Sequence, residues 1–306
     1  MRRLRPLLIC TALFSAMIFA APGQRADAAP FAFGTFVVSN HGCVPQVSCP
    51  ESDGGDQDHD YELAGGSFVS ATNETDGFND PFFTYLARAR ASFGELQAQA
   101  SVEFDLPTES IRTAGAFAFV TDSLTLTAPG LNGQAGTLDV SFLFDGLLES
   151  SGNGGAGAFA ALTWGGNSSD PFDEDKEAKA FEYMSAAELP SGPVVVPVNF
   201  VWGQPFYLSM VLGVGAGTPA TCFLCDSGDA ILTAVDGSGS GNADFYHTMT
   251  LVGLVARDAN GGIVPNVQFA SGSGTQYSAE GVVPEPGSLL LLGTGLAFAF
   301  GRRRRG

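Results

Sequence analysis

Cysteines, clustered carboxylates, histidines and tryptophans are the side chains here whose types and spacing could do chemistry. Cys43 and Cys49 stand six residues apart, Cys222 and Cys225 three apart, and Cys10 lies near the N-terminus. In an oxidising compartment the four later cysteines are disulfide candidates. Three connectivities are open, of which Cys43–Cys49 with Cys222–Cys225 is the sequence-local one. Zinc is the sharper alternative, because Cys222-Phe-Leu-Cys225 has ligand spacing, although Cys43 and Cys49 do not. A thioredoxin-like redox role would need a βαβ context that the flanking sequence lacks.

The densest acidic run is Glu51 to Glu62, in which Asp56, Asp58 and Asp60 alternate after Gly54-Gly55. Alternating carboxylates after a tight turn suit a hard cation, so these three are the candidate Ca²⁺ ligands. The offsets are not those of an EF-hand, and the competing reading is a solvated acidic loop. Asp170 and Asp173–Asp175 form a weaker cluster of the same kind. No other cofactor is expected.

Catalysis finds little support. A hydrolytic triad needs a histidine base, and the chain has only His41, His59 and His247, each in a context that reads as structural. Neither G-x-S-x-G nor H-E-x-x-H occurs. Gly152, Gly154 and Gly157 spell G-x-G-x-x-G, but a strand-like run follows where a phosphate-binding helix should start. No carboxylate pair stands out as a glycosidase couple. Trp164 and Trp202 would stack on sugar rings if exposed together, and otherwise fill a core.

The ends of the chain read as addresses. Arg2, Arg3 and Arg5 precede an apolar run from Leu7 to Ala21, and Ala26-Asp27-Ala28 supplies a small-residue cleavage site. This is the layout of a secretory signal peptide over residues 1–28. At the other end Pro284-Glu285-Pro286 is followed by an apolar segment to Phe300 and then Arg302, Arg303, Arg304 and Arg305. The arginines form a positive stop that stays on the cytoplasmic side, and the apolar stretch is short for a comfortable span of about 20 residues.

That terminal arrangement resembles the PEP-CTERM sorting signal. The resemblance covers Val283–Gly306, and all three parts (tripeptide, apolar helix, arginine cluster) occur in order. It implies export, transient anchoring in the inner membrane, and processing by an exosortase-type enzyme of bacteria that make exopolysaccharide. It implies delivery to the cell surface or matrix but no single activity. The stretches Ala243–Gly261 and Ser271–Tyr277 also resemble, more loosely, the final strands of many such proteins, which implies a β-sandwich body.

Composition agrees. The formal charge of −18 combines 14 basic with 32 acidic residues. Eight of the basic residues lie in the two addresses with two of the acids, so residues 29–282 hold 6 basic against 30 acidic residues, or −24. Such a body cannot neutralise a phosphate backbone, which excludes nucleic acid as a partner. Hydrophobic content of 45% is too high for an acidic disordered chain.

The body reads as strands. Period-two alternation recurs in Phe31–Val38, Tyr61–Ser70, Tyr85–Phe104, Ala114–Val120, Ser123–Thr127, Thr137–Leu148, Ala158–Trp164, Val194–Val201, Phe206–Val214, Ala230–Val235, Asp244–Arg257 and Val267–Ala270. Turn signals such as Asn132-Gly133, Asp145-Gly146 and Asn260-Gly261 separate several of them. An Ala-rich helix is the competing reading of Tyr85–Phe104, against which the two-residue alternation and Gly94 favour strand. Asp173–Leu189 is the one acidic, Lys-containing stretch with a helical reading. Many strand positions hold Ala, Gly or Ser, so two sheets could approach closely. The expectation is an all-β chain, an antiparallel β-sandwich or jelly roll over 29–282. A signal peptide would precede it, and a short apolar sorting helix over 283–306 would follow.

Functionally this points to a non-enzymatic exported protein with a structural or adhesive role, and exopolysaccharide as partner. A carbohydrate-binding module and a secreted hydrolase are the alternatives. A thiol titration of the exported protein should find no free thiols; four would remove the disulfide assignment.

Overall fold

The computed structural model describes residues 31–42, 57–64, 70–76, 82–218, 235–278 and 281–282. Fifteen strands run through them: β1 (Phe31–Gly42), β2 (Gln57–Ala64), β3 (Ser70–Asp76), β4 (Phe83–Ser92), β5 (Glu95–Thr127), β6 (Ala135–Phe144), β7 (Leu147–Gly152) and β8 (Gly155–Gly165). After them come β9 (Lys176–Tyr183), β10 (Val194–Val201), β11 (Pro205–Gly217), β12 (Val235–Arg257), β13 (Gln268–Ser271), β14 (Tyr277–Ser278) and β15 (Gly281–Val282). The all-β expectation holds, and every strand pairing is antiparallel.

Two layers share one strand. The front sheet runs β3–β4–β5–β12, then β6 and β7 end to end along β12, with β10 outside β6. The rear sheet runs β2–β1–β5–β11–β8–β9, with β13 following β1 along the same flank of β5. β5 is 33 residues long, so the separate stretches Ala114–Val120 and Ser123–Thr127 are continuations of one strand. Its first half pairs with β4 and β12, and its second half pairs with β1 and β11. Pro107 sits at the changeover, where the β12 register slips between Val235 and Gly237. A residue without an N–H is tolerated at such an irregularity, where the ladder is already broken.

The competing helical reading of Tyr85–Phe104 fails for a local reason. Gly94 takes φ +82° between β4 and β5, so the run folds back as a hairpin. Alternate residues then face inward: Ala87, Ala89 and Ala91 on one strand, Leu96, Ala98 and Ala100 on the next. Asp173–Leu189 is corrected. Lys176–Tyr183 is a strand paired along β8, and only Ala186–Glu188 makes a short 3₁₀ turn. Pairing at a sheet edge, with Ala180 and Phe181 packed on opposite faces, overrides the helix preference of the segment.

The inner faces are built from small residues, as the composition foretold. Ala114, Ala116 and Ala118 of β5 and Ala156, Ala158 and Ala160 of β8 look across at the alanines of β4 and β5. Large rings staple the remaining edge: Phe142 with Phe181, Phe144 with Tyr183, and Phe200 with Phe206, at centroid separations of 5.9, 5.6 and 5.6 Å. At the opposite end the backbones touch. A Cβ on Gly239 would lie 2.5 Å from the Gly154 nitrogen, and one on Gly241 would overlap the Gly155 carbonyl. Gly241→Ala should therefore force the sheets apart and lower stability by about 1–3 kcal/mol, read from chemical denaturation. An unchanged midpoint would show that the contact can yield.

Candidate functional site

Two buried polar clusters stand out among the described residues, and sequence spacing pointed only to Asp170 and Asp173 beside the second. The first surrounds Asp122, a carboxylate of β5 that is 3% exposed. Its Oδ1 accepts the Ser273 N–H at 3.1 Å. Its Oδ2 accepts the Ser273 hydroxyl at 2.6 Å and the Tyr277 hydroxyl at 2.9 Å. The loop that brings them there follows β13: Gly272 N–H donates to the Ser123 carbonyl, and the Ser271 hydroxyl donates to the Thr275 carbonyl. Three charge-assisted bonds thus clamp residues 273–277 to the rear sheet.

Burial pushes the Asp122 carboxyl up, and the donors from Ser273 and Tyr277 offset that in part. Burial, then the Asp122 charge, pushes the Tyr277 phenol well above its ordinary value.

The second cluster lies on the outer face of the rear sheet. Thr121, Ser209 and Thr163 form one row across β5, β11 and β8. Thr121 donates to Ser209 Oγ at 2.8 Å, Lys176 Nζ donates to the same oxygen at 3.1 Å, and Thr163 donates to the Pro171 carbonyl at 2.9 Å. Burial lowers the Lys176 amine to about 8, against the pull of Asp170 and Asp173. Burial likewise raises the Asp170 carboxyl. A lysine beside a serine is the geometry of an activated nucleophile. Ser209 is 0% exposed, however, under the β8–β9 loop. Phe172 of that loop packs on Phe117 at 5.6 Å. The pair pins the loop to the sheet.

The residues singled out by sequence are scattered. Trp202 is 0% and Trp164 8% exposed, so no stacking surface forms from them. Trp202 meets Phe200 edge-on at 4.9 Å and crowds Gly136, as a core ring does. His41, His59 and His247 fall on β1, β2 and β12 respectively. Asp58 and Asp60 occupy strand β2, opposite Ser39 and Val37, where a loop was expected. Among the described residues β2 pairs only with β1, and acids on an edge strand oppose pairing with another chain. Asp56, Cys43, Cys49, Cys222 and Cys225 lie outside the described residues. Among the described residues no three His, Cys, Asp or Glu converge as metal ligands. The G-x-G-x-x-G run is the β7–β8 connection, and strand β8 follows it.

The clamp at Asp122 precedes the feature that decides the protein's class. A PEP-CTERM protein-sorting motif matches residues 282–305, starting five residues after Tyr277. The chain carries a PEP-CTERM sorting motif. Pro284, Glu285, Pro286 and the run Arg302–Arg305 all fall within the match. The motif marks an exported protein sorted to the cell surface by an exosortase-type enzyme. No curated protein and no solved structure matches the chain. Among the described residues no helix is long and apolar enough to cross a membrane.

The clamp is open to test. With its carboxyl raised in the fold, native Asp122 holds its proton more tightly than the unfolded chain does. Its contribution to stability is therefore fully present below the ordinary aspartate value of 3.8 and is lost as the pH rises through the folded value. Asp122→Asn should flatten that part of the stability–pH curve. Asp122→Ala leaves the Ser273 and Tyr277 donors unmatched and should cost about 1–3 kcal/mol, with faster amide exchange across 268–278. Wild-type exchange rates in that variant would refute the clamp.

Proposed function

We propose that this protein is a non-catalytic component of the bacterial cell surface or extracellular matrix, structural or adhesive in role. A signal peptide over residues 1–28 starts its export, and an exosortase-type enzyme processes its C-terminal tail at the inner membrane. Exopolysaccharide is its medium and partner. The observation that carries this reading is the sorting motif at 282–305, joined directly to an antiparallel sandwich.

Three features of the body support an extracellular material role. Residues 29–282 carry 6 basic and 30 acidic residues, which keeps molecules apart in a crowded matrix. Charged residues occupy the outer strands of the rear sheet, Asp58, Asp60 and Glu62 on β2 and Lys176, Glu177, Lys179 and Glu182 on β9. Such edges resist strand-to-strand aggregation. The clamp around Asp122 gives the sorted tail a fixed root in the sandwich, so a pull on the tail is borne by the body.

Mass spectrometry of surface-exposed protein tests the reading at both ends. The N-terminus should begin at Ala29, and the C-terminus should lie upstream of Arg302. Surface-exposed protein that still ends at Gly306 would overturn exosortase-type processing.

A further inference from the structure

The outer face of the front sheet carries a groove that sorting does not use. Register aligns two rows of side chains across β4, β5, β12 and β7. One row is Thr84, Glu103, Ser240 and Ser151, and the next is Leu86, Ser101, Asn242 and Glu149. Their chain neighbours Tyr85 and Val102 are buried in the core, so the rows stand outward. On the two middle strands the short Ser101 and Ser240 sit diagonally beside the longer Glu103 and Asn242, and Leu86 and Glu149 flank the second row. The result is an open groove of about 520 Å³.

The lining selects a ligand chemistry. Serine and threonine hydroxyls and the Asn242 amide both donate and accept, whereas Glu103 and Glu149 only accept. Little of this capacity is used internally: the Ser151 and Ser240 hydroxyls meet at 2.8 Å, and Asn242 Nδ2 donates to Glu149 at 3.4 Å. Among the described residues, no lysine or arginine lines the groove between its two ends and Glu103 and Glu149 do, which disfavours phosphate, sulfate and polyanions as occupants. A ligand must therefore present uncharged groups that donate and accept at close intervals, as a polyol does.

Aromatic groups mark both ends. Phe82, one row beyond Thr84, is 45% exposed. At the other end the Arg88 guanidinium lies 3.9 Å over the Tyr246 ring, and its Nε donates to Gln99 at 2.7 Å. Phe82, just ahead of β4, and Arg88 are six positions apart, about 20 Å of extended strand. Flat platforms at that spacing, with hydrogen-bonding groups between them, fit an extended chain of sugar rings.

We propose that this face binds a segment of an uncharged polysaccharide lying along the groove, with Asn242, Ser101, Glu103 and Glu149 as its hydrogen-bonding partners. The proposal deepens the matrix reading, on which it rests for biological setting. It fails separately: a correctly sorted protein that binds no glycan keeps that reading and loses the groove.

Affinity electrophoresis of the exported chain in gels containing dextran, laminarin, hydroxyethylcellulose or alginate provides the test. At least one of the three neutral glucans should retard the protein, and alginate should not. Asn242→Ala should weaken retention at least tenfold, and Ser101→Arg, which fills the groove, should abolish it. Val195→Ser, on exposed β10, should bind as wild type. Melting curves check that each variant folds. Where one does not, slower amide exchange at 84–86, 101–103 and 240–242 of the wild type on adding the retarding glucan supplies the readout. Retardation by none of the three glucans, preference for alginate, or wild-type binding by folded groove variants would overturn the proposal.

Discussion

One strand belonging to both layers is the constraint on which the rest of this structure depends. β5 pairs with β4 and β12 through its first half and with β1 and β11 through its second, so the sheets are joined by continuous backbone. A sandwich joined this way cannot open on that side without breaking ladders in both sheets. The alanines of β4, β5 and β8 then bring the layers close, and the glycines of β12 bring backbone against backbone. Close packing replaces the dispersion contacts that larger side chains would have supplied. The ring pairs at the β6, β9, β10 and β11 side fill the wider gap there.

The outward faces follow from the same geometry. Side chains alternate along each regular stretch of strand, so each inward alanine fixes an outward neighbour, and the two sheets present different chemistry. The rear sheet covers part of its outer face with the Phe117, Phe119 and Phe159 cluster and pins the β8–β9 loop over it through Lys176 and Thr163. The front sheet leaves a polar groove, with hydroxyl, amide and carboxylate groups in register. Among the described residues, the rear face is thus closed by its own loop and the front face carries a groove.

Much of the fold was legible in the sequence. Val194–Val201 is a strand with the same bounds, and the Tyr85–Phe104 alternation is a hairpin turned by Gly94. Misreadings arose where a local preference met a non-local partner. Asp173–Leu189 favours helix in isolation, yet its pairing with β8 decides otherwise. Tyr85–Phe104, Ala114–Val120 and Ser123–Thr127 read as separate strands because the chain changes partners near Pro107, yet it stays extended from Glu95 to Thr127. The functional residues were harder still. Asp122 looked like one acid among thirty in the body, and its partners Ser273 and Tyr277 lie more than 150 residues away.

The sequence by itself determined the destination and the material. A tripeptide, an apolar run and four arginines at the C-terminus constitute a linear sorting motif, legible without the body's fold. Composition likewise set an acidic, strand-forming body, since charge and period two are properties of the chain alone. Only the tertiary structure decided that both tryptophans are core, that Asp122 holds residues 273–277 to the rear sheet, and that Ser101, Asn242 and Glu149 meet in one groove. The physical reason is register. Which side chains share a face depends on hydrogen-bonded pairing between strands far apart in the chain, and that pairing is fixed by the packing of the two sheets together.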